Sequence, residues 1–207
     1  VHGVGTEEYA MSSTNRGRGR NTLDQYETPW EAVAPLLPHL PRSRFVLDPC
    51  CGTGAMVARA ALALGALPLG IEVDGTRPFV DGMTTVQVAD ALTVSWPASD
   101  LILTNPPYVL AVEFVLRGIR EAARGTTVAM LLRLAFLASQ ARHALHAQHS
   151  ADVFVLSKRP SFTSDGRADS SDYAWFVWGP GRGGRWRALA PPAAPPTPSA
   201  PPRLPGV

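Results

Sequence analysis

Asn105-Pro106-Pro107-Tyr108 is the stretch of this chain whose residue types point most directly to chemistry. Two successive prolines cannot continue a hydrogen-bonded ladder, so the chain must leave any strand here in a stiff, extended turn. Such a turn sets the Asn105 side-chain oxygen beside the Pro106 carbonyl, and the pair can accept both hydrogens of one amino group. Tyr108 then supplies a flat face on which a planar group can stack. Upstream, Asp48, Glu72 and Asp90 each close a short apolar run. Glu72, with Asp74 two residues on, is the kind of side chain that accepts both hydroxyls of a ribose. Asp90 is placed to accept a hydrogen bond from an adenine amino group. Each acid alone would be a solvated carboxylate at a strand end; three at successive strand ends form a pattern.

The loop DPCCGTG, Asp48 to Gly54, carries two glycines that let the backbone turn tightly and leave room for a ligand. The helix that must follow aims its free N–H groups at a carboxylate placed there. Val57 stands where a dinucleotide fingerprint requires glycine, which disfavours nicotinamide and flavin cofactors. Lys158 is the only lysine and follows Ser157, which excludes a phosphate-binding loop of the G-x-x-x-x-G-K-[ST] type.

Strands alternating with helices must position these residues. Arg44–Asp48, Leu67–Asp74, Thr84–Asp90, Asp100–Asn105 and Thr126–Leu132 read as strands one to five. Ala55–Gly65 and Val112–Gly125 read as helices stopped by glycine, and a third helix is expected over Phe136–Ala147. Ala151–Ser157 and Asp172–Gly179 complete the sheet. With no helix between them they should form a hairpin that places an antiparallel strand at the sheet edge. The pattern predicts an α/β fold with a mostly parallel seven-stranded sheet and an antiparallel C-terminal hairpin. Ligands of such sheets sit beyond the carboxyl ends of the strands.

At 207 residues and 45% apolar content the chain suits one globular domain. Residues 1–22 read as a flexible arm in which Arg16, Arg18 and Arg20 alternate with glycine, 23–186 as the folded body, and 187–207 as a disordered proline-rich tail. The net charge of +2 does not by itself require a nucleic-acid partner. Cys50 and Cys51, adjacent and the only cysteines, make neither a good structural disulfide nor a four-sulfur zinc site. No metal site is expected. A cytoplasmic location is expected, with no long apolar span or signal-peptide core to suggest membrane insertion or secretion.

DPCCGTG, GIEVD, VADAL and LILTNPPY together resemble the class I S-adenosylmethionine-dependent methyltransferases that act on amino groups, a Rossmann-like family. They are most similar to the NPPY-type adenine-N6 DNA methyltransferases, especially the compact phage-like ones. DQYETPWEAV resembles the family segment over the methionine end of the cofactor, and KRPSFTSDGRADSSDYAWFVW its last hairpin and target-base loop. The resemblance implies S-adenosylmethionine as cofactor, with Asp48, Pro49, Cys50, Gly52 and Gly54 around its methionine part. It further implies Glu72 at the ribose, Asp90 at the adenine, and Tyr26, Thr28 and Pro29 closing the pocket. Asn105, Pro106, Pro107 and Tyr108 would hold the acceptor, with Lys158, Arg159 and Phe162 of the hairpin loop on the substrate side. DNA is the implied partner. RNA adenine, cytosine-N4 and protein glutamine are alternative acceptors, and a non-catalytic module of the same fold is a further alternative. No room is left for a separate sequence-recognition domain, so a helper subunit could supply recognition.

Other residues carry plainer expectations. His143, His146 and His149 recur every third residue, as on a solvated helix face. Trp175 and Trp178 belong to a core strand. Arg182, Arg185 and Arg187 are expected to touch phosphate or solvent.

Overall fold

The computed structural model describes residues 27–163 and 167–191. The basic arm, Tyr26 and the tail from residue 192 lie outside the described residues. Eight strands form one sheet in the order β3-β2-β1-β4-β5-β7-β6-β8. They are β1 (Phe45–Asp48), β2 (Leu67–Glu72), β3 (Thr85–Val88), β4 (Leu101–Thr104), β5 (Thr127–Arg133), β6 (Asp152–Leu156), β7 (Tyr173–Trp178) and β8 (Trp186–Leu189). The first five are mutually parallel. Strand order reverses between β1 and β4, and a ligand crevice is expected there.

Alternation along the central strands builds a core on each face of the sheet. On β5, Ala129 and Leu131 join the core under helix α2 (Ala55–Leu64), while Val128, Met130 and Leu132 join the core under α3 (Ala111–Ala122). On β7, Tyr173, Trp175 and Val177 go one way, and Ala174, Phe176 and Trp178 the other. Trp175 is fully buried and its indole N–H donates to the Ala32 carbonyl at 2.7 Å, tying β7 to the short helix α1 (Trp30–Val33). Trp175 and Trp178 are core residues, as their strand position suggests.

Three expectations are revised. The sheet has eight strands, not seven, and the folded body runs past Trp186 to Leu189. WRAL between a glycine-rich stretch and prolines gives a weak strand pattern, yet Leu189 is buried and β8 pairs parallel to β6. The hairpin forms, but its antiparallel strand β7 is interior, inserted between β5 and β6. The helix expected over Phe136–Ala147 is broken into 3-10 turns at Leu134–Phe136 and Gln140–Arg142, followed by α4 (His143–Gln148). Ser139 is extended (φ −155°, ψ 126°), and the Phe136 carbonyl accepts from the Arg142 side chain at 2.8 Å and contacts the His146 ring at 3.1 Å.

Arg182 and Arg185 serve the fold. Asp152 opens β6 almost fully buried, and its carboxylate accepts from both guanidinium groups and from the backbone N–H groups of Gly183 and Arg185. Burial opposes the charge, but these donors outweigh it and hold the carboxyl below the usual range. Among the described residues no helix is long and apolar enough to cross a membrane.

Candidate active site at the carboxyl ends of the strands

A cleft of about 370 Å³ opens where β1, β2, β3 and β4 end. Thr28, Asp48, Pro49, Cys50, Gly52, Glu72, Asp90, Asn105 and Pro107, all singled out from the sequence, lie in its wall. Pro29, Gly54, Pro106 and Tyr108 do not. Gly54 serves the loop itself: its φ is +84°, and a Cβ there would stand 2.7 Å from Met83 Sδ. Glycine suits this backbone shape and the close approach of Met83.

The carboxylate side of the cleft is tied together by its own backbone. Glu72 is buried, with one carboxylate oxygen accepting from Gly52 N–H at 2.8 Å and the other from Asp74 N–H at 3.0 Å. The acid at the end of β2 thus shapes the glycine loop after β1, and each oxygen retains a lone pair for a ligand hydroxyl. Asp48, also buried, accepts from Cys50 N–H at 2.9 Å. Burial pushes its carboxyl up to about 7, opposed by the neighbouring Thr104 hydroxyl and the Cys50 bond and reinforced by the Glu72 charge. Burial likewise raises both cysteine thiols, which are neutral packing groups. Asp90 is exposed at the mouth and accepts from Leu92 N–H at 2.9 Å.

On the acceptor side, Asn105 donates its side-chain N–H to Thr28 Oγ1 at 3.0 Å. That bond fixes the amide, and the other end of it, Oδ1, is buried with no hydrogen-bond partner. Thr53 of the glycine loop donates to Glu27 at 3.1 Å, so the two residues preceding Pro29 are stitched to the loops after β1 and β4. Tyr108 begins a 3-10 turn, and its ring lies against Tyr173 at 5.7 Å. Phe162 meets Tyr173 edge-on at 5.2 Å, so the hairpin loop does reach the Tyr108 side of the site. Lys158 and Arg159 are exposed at the end of β6, where Arg159 pairs with Asp172 at 2.7 Å across the base of the loop.

Several site residues escaped the sequence reading. Arg77 lines the cleft and pairs with Asp74 at 3.4 Å, while Leu110 and Phe114 supply an apolar wall. The buried hydroxyl of Thr104, just before Asn105, faces the Asp48 carboxyl and steadies its charge. Arg133 caps a strand whose other residues are all buried, the same strand-end signal that marks the acids.

No protein-family model matches the chain, and no curated protein sequence does. Solved structures do. A candidate class I S-adenosylmethionine-dependent methyltransferase from Listeria monocytogenes aligns with a TM-score of 0.59 at 14% identity, over 83% of this chain and 68% of that one. A candidate RNA methyltransferase from Pyrococcus horikoshii aligns at 0.57 and 18% identity, over 76% and 87%. A dimethyladenosine transferase from Plasmodium falciparum aligns at 0.52 and 14% identity, over 74% of this chain and 62% of that one. At such identities the likeness is one of architecture, and the architecture is that of the class I S-adenosylmethionine-dependent methyltransferases.

Proposed function

We propose that this chain transfers a methyl group from S-adenosylmethionine to the exocyclic amino nitrogen of adenine in a polynucleotide. The observation that carries this reading is Asn105 Oδ1, a buried acceptor without a partner, on the wall of a cleft that also holds four carboxylates, Glu27, Asp48, Glu72 and Asp90. The cleft volume suits a nucleoside-sized ligand. Its acceptor set suits this cofactor: Glu72 for ribose hydroxyls, Asp90 at the mouth for an adenine amino group, and Asp48 for the cationic methionine end.

The cofactor supplies a methyl group already activated on a sulfonium. What remains for the protein is alignment. An aromatic amino group is a poor nucleophile because its lone pair is delocalised into the ring. Asn105 Oδ1 and the Pro106 carbonyl accept its two N–H bonds, which favours a pyramidal nitrogen and stabilises the positive charge that develops there. No strong base is needed before transfer, in keeping with the neutral thiols. Tyr108 offers the face on which the acceptor base stacks, and a duplex base would have to be flipped out to reach it.

Of the two polynucleotides, RNA has the support of structural likeness: one similar structure is described as an RNA methyltransferase and another takes its name from dimethyladenosine. DNA has the support of the sequence resemblance around NPPY. Incubating the chain with methyl-labelled cofactor and matched RNA and DNA oligonucleotides, beside a glutamine-bearing peptide, tests both. Label in a polynucleotide is expected; label only in the peptide, or in none of them, would remove the proposal.

A further inference from the structure

Arg133 puts a charge at the end of β5, beyond the cofactor cleft and beside Tyr108. Its guanidinium lies over the Tyr108 ring, 5.0 Å from the ring centre. Tyr173, 1% exposed, stands against the same ring at 5.7 Å with the planes inclined at 42°. Tyr173 is fixed in turn, since its hydroxyl donates to Asp169 at 3.1 Å. Asp169 also accepts from Ser171 N–H at 2.9 Å, and its own N–H donates to the Pro160 carbonyl at 2.9 Å. The hairpin loop is thereby anchored to the ring that supports Tyr108. Arg133 Nε and the Tyr108 hydroxyl are each buried without a partner. Unpaired buried donors are costly, and neither is used by the carboxylate side of the site.

We infer that Arg133 is a positioning residue for the acceptor base, acting through Tyr108. The cation covers one part of the ring and Tyr173 another, so the ring is held at one inclination and offers its remaining surface to the base. This inference rests on the adenine transfer proposed above and deepens it: the orientation of the stacking platform is set from β5 and β7, not from the NPPY turn alone.

The test compares Arg133→Met with Arg133→Lys in the full chain. Arg133→Met is expected to lower kcat/KM for an adenine-bearing oligonucleotide by about tenfold while leaving KM for the cofactor unchanged, and Arg133→Lys, which keeps a cation over the ring, to recover most of the loss. An unchanged oligonucleotide kcat/KM in Arg133→Met, or a parallel loss of cofactor affinity, would overturn the inference. A second readout needs no acceptor. With fluorotyrosine incorporated at the four tyrosines, the ¹⁹F resonance that disappears in Tyr108→Phe should shift in Arg133→Met and return toward its place in Arg133→Lys. A resonance indifferent to Arg133→Met would overturn the clamp. Wild-type chain that methylates no polynucleotide, with a resonance that responds, would count against the proposed function and leave the clamp on Tyr108 standing.

Discussion

The two sides of the cleft differ in how far the protein satisfies its own polar groups. On the carboxylate side, Glu72, Asp48 and Asp90 each accept backbone N–H bonds from the turns they face. On the acceptor side, Asn105 Oδ1 in the cleft wall and, just beyond the cleft, Tyr108 Oη and Arg133 Nε are buried without partners. Buried polar groups are normally paired, so a cluster of exceptions marks the place where a ligand supplies the missing half. One side is a prebuilt frame; on the proposed function, the other is completed by the acceptor.

The contrast predicts that changes on the two sides fail differently. The largest effect belongs to Asn105→Ala. It should cost ~2.7–4 kcal/mol of transition-state stabilisation, by analogy with loss of one oxyanion-hole donor, while cofactor affinity stays within a few fold. Single-turnover rates beside calorimetry check this, and full activity in the variant would refute the role of the amide.

Asp48→Asn should act on stability and through pH. Burial places the Asp48 carboxyl at about 7 in the folded chain against an ordinary value of 3.8. The folded state therefore keeps a proton that the unfolded state releases, and stability falls as pH rises from about 4 to about 7. The asparagine variant should lose that slope and gain on the order of 2–4 kcal/mol relative to wild type at pH 8. Denaturation across this range decides; identical pH profiles would show that Asp48 ionises freely.

Glu72→Ala comes next. Loss of its ligand contacts should weaken cofactor binding by ~1–3 kcal/mol. Because Gly52 and Asp74 N–H groups lose their acceptor, the melting temperature should fall as well. Unchanged affinity by calorimetry would remove Glu72 from the cofactor site. On the acceptor side, Tyr108→Ala should lose ~1–3 kcal/mol of stacking, seen in KM for the oligonucleotide, with little effect on the cofactor. Tyr108→Phe should be the mildest change of all, since the aromatic face survives.

Much of the carboxylate side was legible in the sequence because its logic is local. An acid closing an apolar run and glycines before a helical pattern can be seen along one stretch of chain. The NPPY turn was legible for the same reason. What could not be read depends on contacts across the fold. Tyr173 meets Tyr108 only because β7 inserts beside β5, and it brings Asp169, the acceptor of its hydroxyl, with it, a topology that no local pattern encodes. Arg133 reaches the same ring from the end of β5, beside β4. Arg182 and Arg185 were read as phosphate or solvent contacts because their partner, buried Asp152, lies about 30 residues away. Strand β8 was missed because four residues between glycines and prolines leave too little alternation to register. The close approach of Met83 to Gly54 likewise joins residues distant along the chain and has no local signal.

The central claim is that Asn105 and Pro106 hold an exocyclic amino group. It is tested most directly by locating the transferred methyl: polynucleotide methylated by the wild-type chain is digested to nucleosides, and the modified base is identified by fragmentation in a mass spectrometer. Methyl on the N6 nitrogen of adenine is the result the account predicts. Methyl on a ring nitrogen such as N1, or on a base carbon, would contradict it, because neither position presents the two N–H bonds that the paired acceptors are built to receive.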